Sequence, residues 1–230
     1  MLQMKKKFIL ATLFILSSIL SFSQHIIPKF GGTLTSVSYN NNGGVQNSFG
    51  FLGGVALELP LKGSFLIQPE LLFHRKGYKY HGTMLYGVDN GYELMPYNEK
   101  FNLNYIELPV LVKFNIKKFY FNFGPYFAYG IGGNYKYDDT RPVSYSGKVK
   151  FKKTSGYIIS HDGDAIFFDN AFDYGLQIGG GVKIGKRIII DLRYGYGLKN
   201  IYDKDPSINY IKNKSQNRSL QLSLGYPIKF

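Results

Sequence analysis

The sequence predicts an all-β fold: an eight-stranded antiparallel up-and-down transmembrane β-barrel that follows an N-terminal signal peptide. Three observations predict it, namely a secretory N-terminus, segments in which apolar and polar side chains alternate, and connections that are short and long in turn. The chain has 20 Tyr, 19 Phe and 27 Gly among 230 residues and no Cys. With a mean hydropathy of -0.14, this composition suits a sheet with one apolar face and one polar face rather than apolar membrane helices.

The N-terminus has the pattern of a secretory, Sec-type signal peptide. Three lysines precede the apolar run Phe8–Leu20, and the small residues Ser21 and Ser23 occupy positions -3 and -1 of a cleavage site. We therefore predict a signal peptide over residues 1–23 and a barrel domain over residues 24–230. The apolar run is shorter than the roughly 20 residues of a spanning helix, so any later crossing must use strands.

The rest of the chain repeats a period of two, which is typical of strands. In the clearest segment, Phe119, Phe121 and Phe123 share one face, while Asn122 and Gly124 lie on the other. Strands are predicted at about 26–39, 49–60, 65–78, 105–114, 119–129, 172–184, 190–198 and 220–228. Eight is an even number, as single-chain bacterial barrels have.

The connections between these strands alternate strictly in length. Three tight turns are expected at 61–64, 115–118 and 184–187, and four longer loops at about 40–48, 81–97, 136–166 and 203–216. Barrels of the outer membrane have short periplasmic turns and longer outer loops. The alternation therefore predicts a Gram-negative outer-membrane protein with both termini in the periplasm and four loops outside.

The charged residues of the strands must face the lumen. A charge on the lipid face costs about 2–4 kcal/mol at the midplane, and the interior of an eight-stranded barrel is just filled by side chains. Because buried charges must pair, we predict a structural charge network inside the barrel, with inner-face glycines making room for it. Its members are Glu58, Glu70, Lys76, Glu107, Lys113, Lys183, Asp191 and Arg193.

The last residues alternate in the same way and end in an aromatic residue. The stretch 225–230 finishes at Phe230. This ending resembles the C-terminal signal by which barrels are recognised by their assembly machinery. We therefore expect Phe230 to contact that machinery.

Several short segments resemble one family of proteins. They are Gln68-Pro69-Glu70-Leu71-Leu72-Phe73 with Lys76-Gly77, Asn104-Tyr105-Ile106-Glu107-Leu108-Pro109, Gly124-Pro125-Tyr126, Arg193-Tyr194-Gly195-Tyr196-Gly197-Leu198 and the terminal strand. With them the chain resembles the PorT family, whose members share an outer membrane β-barrel domain. The resemblance covers nearly the whole mature chain and implies a fold and a location, without catalytic residues. The founding member is implicated in the secretion and maturation of surface proteases.

No residue pattern indicates a catalytic, cofactor-binding or metal site. The four histidines, His25, His74, His81 and His161, are scattered without metal-ligand spacing. Ser160-His161-Asp162 is contiguous in sequence, which is not the geometry of a triad. The Asp162–Asp164 stretch with Asp169 could hold calcium, although such Asp and Gly clusters usually form turns.

The formal net charge of +13 raises the question of an anionic partner. Because the chain is exported, we do not expect nucleic acid; outer-membrane lipid and the phosphates of lipopolysaccharide are the expected contacts. The first interpretation of the charge itself is a solvated loop surface. The basic stretch 148–153 is interpreted as one edge of a hairpin above the membrane, with a polyanion-binding arm as the alternative.

The leading functional hypothesis is a structural or interaction barrel, accessory to surface secretion or adhesion, that contacts its partner through loop 136–166. A small transport pore is the first alternative, although eight strands leave little space in the lumen. A lipid-modifying enzyme of the outer membrane is the second.

Overall fold

The computed structural model of the chain describes residues 25–38, 44–89, 91–139, 144–152, 165–168, 170–185, 187–201 and 215–229. The predicted signal peptide and Phe230 lie outside these ranges. Within them, no helix is long and apolar enough to cross a membrane.

The described residues form eleven strands. They are β1 (His25–Ser38), β2 (Val45–Pro60), β3 (Phe65–Val88), β4 (Gly91–Ile116), β5 (Phe119–Asp139), β6 (Ser144–Phe151), β7 (Ala165–Phe168), β8 (Phe172–Ile184), β9 (Ile188–Asn200), β10 (Gln216–Gly225) and β11 (Ile228–Lys229). All neighbouring pairs are antiparallel except β6 and β7, which are parallel.

Eight of these strands close into a ring. The order is β4-β3-β2-β1-β10-β9-β8-β5, and β5 pairs again with β4. The predicted fold class, an eight-stranded antiparallel barrel, is therefore confirmed. At the short connections Gly63, Lys117 and Gly185 adopt positive φ angles of 70°, 55° and 60°, which tight turns between antiparallel strands require.

Two predicted loops are wrong. Residues 81–97 are not a loop, because β3 and β4 stay in register up to the pair Val88–Gly91. The glycines and the proline of this stretch suggested a loop, but the cross-strand hydrogen bonds and the paired Leu, Met and Tyr side chains favour a long hairpin. The predicted loop 136–166 likewise contains the end of β5, all of β6 and the start of β7. Its stretch 148–151 is the edge of a hairpin, since β6 pairs with β5.

The outward face of the ring is an apolar belt. On β4 its members are Ile106, Leu108, Val110, Val112, Phe114 and Ile116, which are 37–49% exposed. Ten residue steps at about 3.3 Å, with a strand tilt of about 40°, make this belt about 25 Å tall, the height of the apolar band on membrane barrels. An apolar surface of this extent requires lipid around it.

The two ends of the barrel differ. At the terminal end, His25 of β1 pairs with Lys229 of β11, beside the three short turns. At the far end, β3, β4, β5 and β6 continue beyond the belt as a four-stranded sheet, here called the projecting sheet, with residues 79–88, 91–100, 133–139 and 144–151.

Candidate functional site: the barrel interior and the projecting sheet

Ten charged side chains point into the ring. Five are basic and five acidic, so that their charges sum to zero: Lys29, Lys76, Lys113, Lys183, Arg193, Glu58, Glu70, Glu107, Asp173 and Asp191. The structure brings all eight residues of the predicted network into this set, each with at least one ion pair. Sequence reasoning missed Lys29 and Asp173. Both occupy inward positions of their strands, next to the outward Phe30 and Phe172, so strand alternation could have found them.

The group nearest the terminal end surrounds Glu58. Lys113 Nζ lies 2.7 Å from Glu58 Oε1, and Lys183 Nζ lies 3.8 Å from the same atom. His25 Nδ1 approaches the other carboxylate oxygen at 3.5 Å. The Lys113 ammonium also sits 3.8 Å from the centre of the Tyr120 ring, which adds a cation–π contact in a desolvated position.

The middle group is built on a bidentate ion pair. Arg193 Nη1 and Nη2 each donate to Glu70 at 2.8 Å, the strong fork geometry of guanidinium with carboxylate. Arg193 Nε lies 2.6 Å from Asp191, and Lys29 Nζ lies 3.1 Å from Glu70. The Tyr120 hydroxyl donates to Asp191 at 2.5 Å. Each charge here therefore has more than one partner.

The third group lies nearer the far end. Lys76 Nζ bridges two carboxylates, Glu107 at 2.8 Å and Asp173 at 3.0 Å. Glu107 also contacts His74 Nδ1 at 3.0 Å and accepts from Gln177 Nε2 at 2.7 Å. With three such groups stacked along the axis, paired side chains of the described residues occupy the interior of the ring.

Glycines of β8 provide the space for the bulky inner residues. A Cβ atom added at Gly179 would meet the Leu192 carbonyl oxygen and lie 2.6 Å from Arg193 Cγ, and one at Gly175 would meet the Tyr196 carbonyl oxygen and lie 2.7 Å from Tyr126 Cε1. Real side chains do not approach that closely. Larger residues on this strand would therefore displace the ion pairs.

Beyond the third ion group the interior becomes apolar. Buried side chains from the ring meet others from β6 and β7 in one cluster, which we call the apolar cap: Tyr78, Phe101, Leu103, Tyr105, Tyr135, Val149, Ile166 and Phe168. The Phe168 ring packs edge-on against Phe101 with centroids 5.8 Å apart. Strand β7 thus closes the far mouth of the ring.

The terminal mouth is open but shallow. A cavity of about 610 Å³ is lined by His25, Glu58, Lys183, Arg187 and Tyr226, among others. The Glu58 group forms its floor, because Lys113 and Glu58 are only 1% and 5% exposed in their side chains. The cavity therefore ends at the first ion group.

The described residues contain no cluster of three or more His, Cys, Asp and Glu side chains able to hold a metal ion. The calcium candidate, Asp162–Asp164 with Asp169, and the contiguous Ser160-His161-Asp162 lie outside the described ranges. Of the other histidines, His25 contacts Glu58 and His74 contacts Glu107, whereas His81 lies exposed on the projecting sheet.

The inner face of the projecting sheet carries a ladder of four tyrosines. Tyr80, Tyr97, Tyr137 and Tyr145 follow one another across the four strands, with ring centroids 5.8, 5.6 and 6.1 Å apart. Glu99 lies between Tyr80 and Tyr137 in the register. Burial raises the pKa of Glu99 above its ordinary value, and burial beside Glu99 raises the pKa of Tyr97 to about 12. The ladder therefore connects all four strands of the projecting sheet by contacts between tyrosine rings.

The sequence matches the profile of a family described as "Outer membrane protein beta-barrel domain" over residues 20–203. Among solved structures it is similar to neisserial surface protein A, with 13% identity, 89% of this chain and 97% of that chain covered, and a TM-score of 0.45. It is also similar to Ail, the attachment invasion locus protein of Yersinia pestis, with 13% identity, coverage of 90% and 99%, and a TM-score of 0.42.

A further similar structure is the outer membrane protease OmpT of Escherichia coli, with 10% identity, coverage of 90% and 97%, and a TM-score of 0.40. No curated protein sequence matches the chain. The family profile spans well over half of the chain and agrees with the closed ring and its apolar belt. The chain belongs to the outer membrane protein β-barrel domain family.

Proposed function

We propose that this outer-membrane barrel is a surface-interaction protein, in which a closed barrel anchors the projecting sheet outside the cell. In this orientation the short turns and both termini face the periplasm, as on other single-chain outer-membrane barrels. The partner is a surface component, engaged in adhesion or in the secretion of surface proteins.

The observation that carries the proposal is the length of β3 and β4. They contain 24 and 26 residues, whereas about 9–11 residues suffice to span a membrane. About ten residues of each strand, roughly 33 Å at 3.3 Å per residue, therefore continue beyond the belt. A rigid sheet of this size has no role in anchoring, and it offers a surface to a partner.

The closed interior argues against the pore alternative. Charged side chains inside the ring are paired, and the apolar cap fills the far mouth. An ion that crosses the barrel would have to displace at least one of these layers. Steady single-channel currents from the reconstituted protein in planar bilayers would overturn this part of the proposal.

An enzymatic role has less support. The buried His74–Glu107 pair lies inside the filled lumen, where no substrate reaches it. Mass spectrometry of lipid A from cells with and without the protein tests for a lipid-modifying activity. We expect an unchanged profile, and a modified lipid A would favour the enzyme instead.

The resemblance to the PorT family favours a role in the secretion of surface proteins. The expected contact, loop 136–166, includes β6, which lies next to β5 in the projecting sheet. The hairpin of β3 and β4 adjoins it on the other side of β5. A secretion partner would therefore meet one continuous surface made of both elements.

A shortened hairpin tests the proposal. In one variant, Met84–Met95 are replaced by Asn-Gly, which closes a two-residue turn and leaves the ring intact. The control replaces Leu61–Ser64 by another four-residue turn at the opposite end. We expect the shortened hairpin to lower cell adhesion, or the yield of secreted surface proteins, at least tenfold.

The control should behave as the unmodified chain, and both variants should show the heat-modifiable gel migration of a folded barrel. If adhesion and secretion both stay unchanged in the folded hairpin variant, the projecting sheet is not the functional surface.

A further inference from the structure

The outer face of the projecting sheet carries a row of lysines in register. Lys79 of β3 lies directly opposite Lys100 of β4, and Lys100 lies opposite Lys136 of β5. Like charges placed directly opposite each other on neighbouring strands are destabilising. A negatively charged ligand that binds the row would neutralise the lysines and remove this repulsion.

Three further basic residues extend this row toward the membrane. Arg75 pairs with Asn104, and Lys148 pairs with Asn134; Lys150 is the next outward residue on β6. The only acidic residue of this face within the described strands is Asp138, which lies 2.9 Å from Lys136. With six positive charges and one negative charge, the patch carries a net charge of +5.

The height of the patch matches the headgroup region of a lipid layer. Arg75 lies opposite Asn104, two residues beyond Ile106 at the edge of the belt, and the lysine row lies six residues beyond it. With about 3.3 Å per residue and a tilt of about 40°, these positions are about 5 Å and about 15 Å above the hydrocarbon. The patch and the belt share the outward face, so a lipid packed on the belt brings its headgroup to the lysines.

Among the described residues, the opposite side of the barrel has no such patch. Beyond the belt, the outward residues described on β1, β2 and β10 include Ser36, Asn47 and Gln216, and Arg218 is the one basic residue among them. Within the described strands, the outward positive charge beyond the belt is therefore concentrated on the projecting sheet.

We propose that Arg75, Lys79, Lys100, Lys136, Lys148 and Lys150 bind the phosphate groups of an anionic glycolipid in the outer leaflet. The inference rests on the proposed orientation, with the projecting sheet outside the cell. The bound lipid fixes one side of the barrel to its own lipid shell and neutralises the lysine row. Clusters of four to eight basic residues next to a membrane surface recognise phosphorylated lipid headgroups in this way.

The test measures lipid retained by the folded, detergent-solubilised chain. The probes are diphosphorylated lipid A and the same lipid A after removal of its phosphates, and native mass spectrometry counts the bound molecules. In the test variant Lys79, Lys100 and Lys136 are replaced by Gln. The control replaces Lys62, Lys118 and Lys229 by Gln, which removes the same charge at the terminal end.

We expect the unmodified chain and the control to retain the diphosphorylated probe, and the test variant to bind it at least tenfold more weakly. Retention should fall as the salt concentration rises, and an equal concentration of inorganic phosphate should not displace the lipid. Equal binding by the test variant and the control, or equal retention of the dephosphorylated probe, overturns the inference. Because lipid retention is measured without cells, this outcome is independent of the adhesion and secretion assays.

Discussion

The two halves of the barrel interior are filled by opposite means. From the terminal end to the level of Lys76, paired charges occupy the lumen, whereas from Phe101 outward an apolar cap does so. The ionic part is made by strands of the closed ring alone. The cap depends on β6 and β7, which lie outside the ring.

The buried ion pairs and the apolar cap contribute differently to the fold. Buried ion pairs gain little net stability over apolar residues of the same volume, but they specify the register. A slip by one residue would turn every inward charge of a strand toward lipid. The apolar cap contains no charge that fixes a register, and it fills the far mouth at the level where β3, β4, β5 and β6 continue beyond the ring.

The largest effect is expected from Arg193. Replacement by Leu leaves Glu70 and Asp191 without their main partner, and breaking a buried pair on one side costs about 3–5 kcal/mol. Urea unfolding of the protein in lipid vesicles measures the loss. A double variant, Glu70→Leu with Arg193→Leu, should regain most of the lost free energy of unfolding, because the uncompensated charge at Glu70 is gone.

The partly exposed Lys183, 3.8 Å from Glu58, provides the control for Arg193. Lys183→Met should cost about 1 kcal/mol or less, the range of solvated pairs. If Lys183→Met and Arg193→Leu were equally costly, the difference between buried and solvated pairs would not hold here.

The second prediction concerns the glycines of β8, which leave space for the buried ion pairs. Gly179→Ala forces a methyl group against the Leu192 carbonyl oxygen and Arg193 Cγ, and overpacking of a filled interior typically costs about 1–3 kcal/mol. The matched control is Gly63→Ala at a turn, where an added Cβ meets no atom within 4 Å but the positive φ angle of 70° remains unfavourable. The same unfolding assay should show a smaller loss for the turn variant.

The third prediction concerns the apolar cap, which we expect to contribute less to global stability than the ring does. Phe168→Ala should lower the free energy of global unfolding by only about 1 kcal/mol, because β6 and β7 can open locally while the ring persists. Hydrogen exchange of the β6 amides should accelerate instead. Phe101→Ala, in the same cluster but on a ring strand, should lower global stability more. A reverse order would mean that the cap holds the ring together.

The smallest effect is a pH dependence confined to the projecting sheet. Since burial raises the pKa of Glu99 in the folded sheet, its neutral form is favoured there. The sheet should be most stable below the unfolded pKa, which is near 4.5, and should lose stability as the pH rises through the higher folded value. Glu99→Gln should abolish this loss.

Hydrogen exchange of residues 91–99, corrected for intrinsic rates, can be compared at pH 4 and pH 7 for both proteins. Glu93→Gln, on the same face but exposed, is the control and should keep the pH dependence. If Glu99→Gln keeps it as well, another group is responsible.

Sequence reasoning could predict the ring because strand alternation directly separates lipid-facing from lumen-facing residues. It places Glu107 between Ile106 and Leu108, and the structure shows Glu107 buried between those two exposed neighbours. The individual partners could not be predicted, because Lys29 and Glu70 or Lys76 and Asp173 meet across the lumen, where the strand stagger decides contact. The projecting sheet was missed because Gly82, Gly87 and Pro96 resemble loop residues.

The closure of the ring has a consequence for biogenesis. β1 finds its second neighbours in β10 and β11, the last two described strands, with ten residue pairs to β10 from Lys29–Gly225 to Ser38–Gln216 and two more to β11. Before β10 and β11 have paired, one edge of β1 is open. Lys29 then also lacks its contact with Asp191 on β9. Completion of the barrel therefore depends on its C-terminal strands: we expect a chain truncated before β10 to leave one edge of β1 unpaired, while the other edge stays paired with β2.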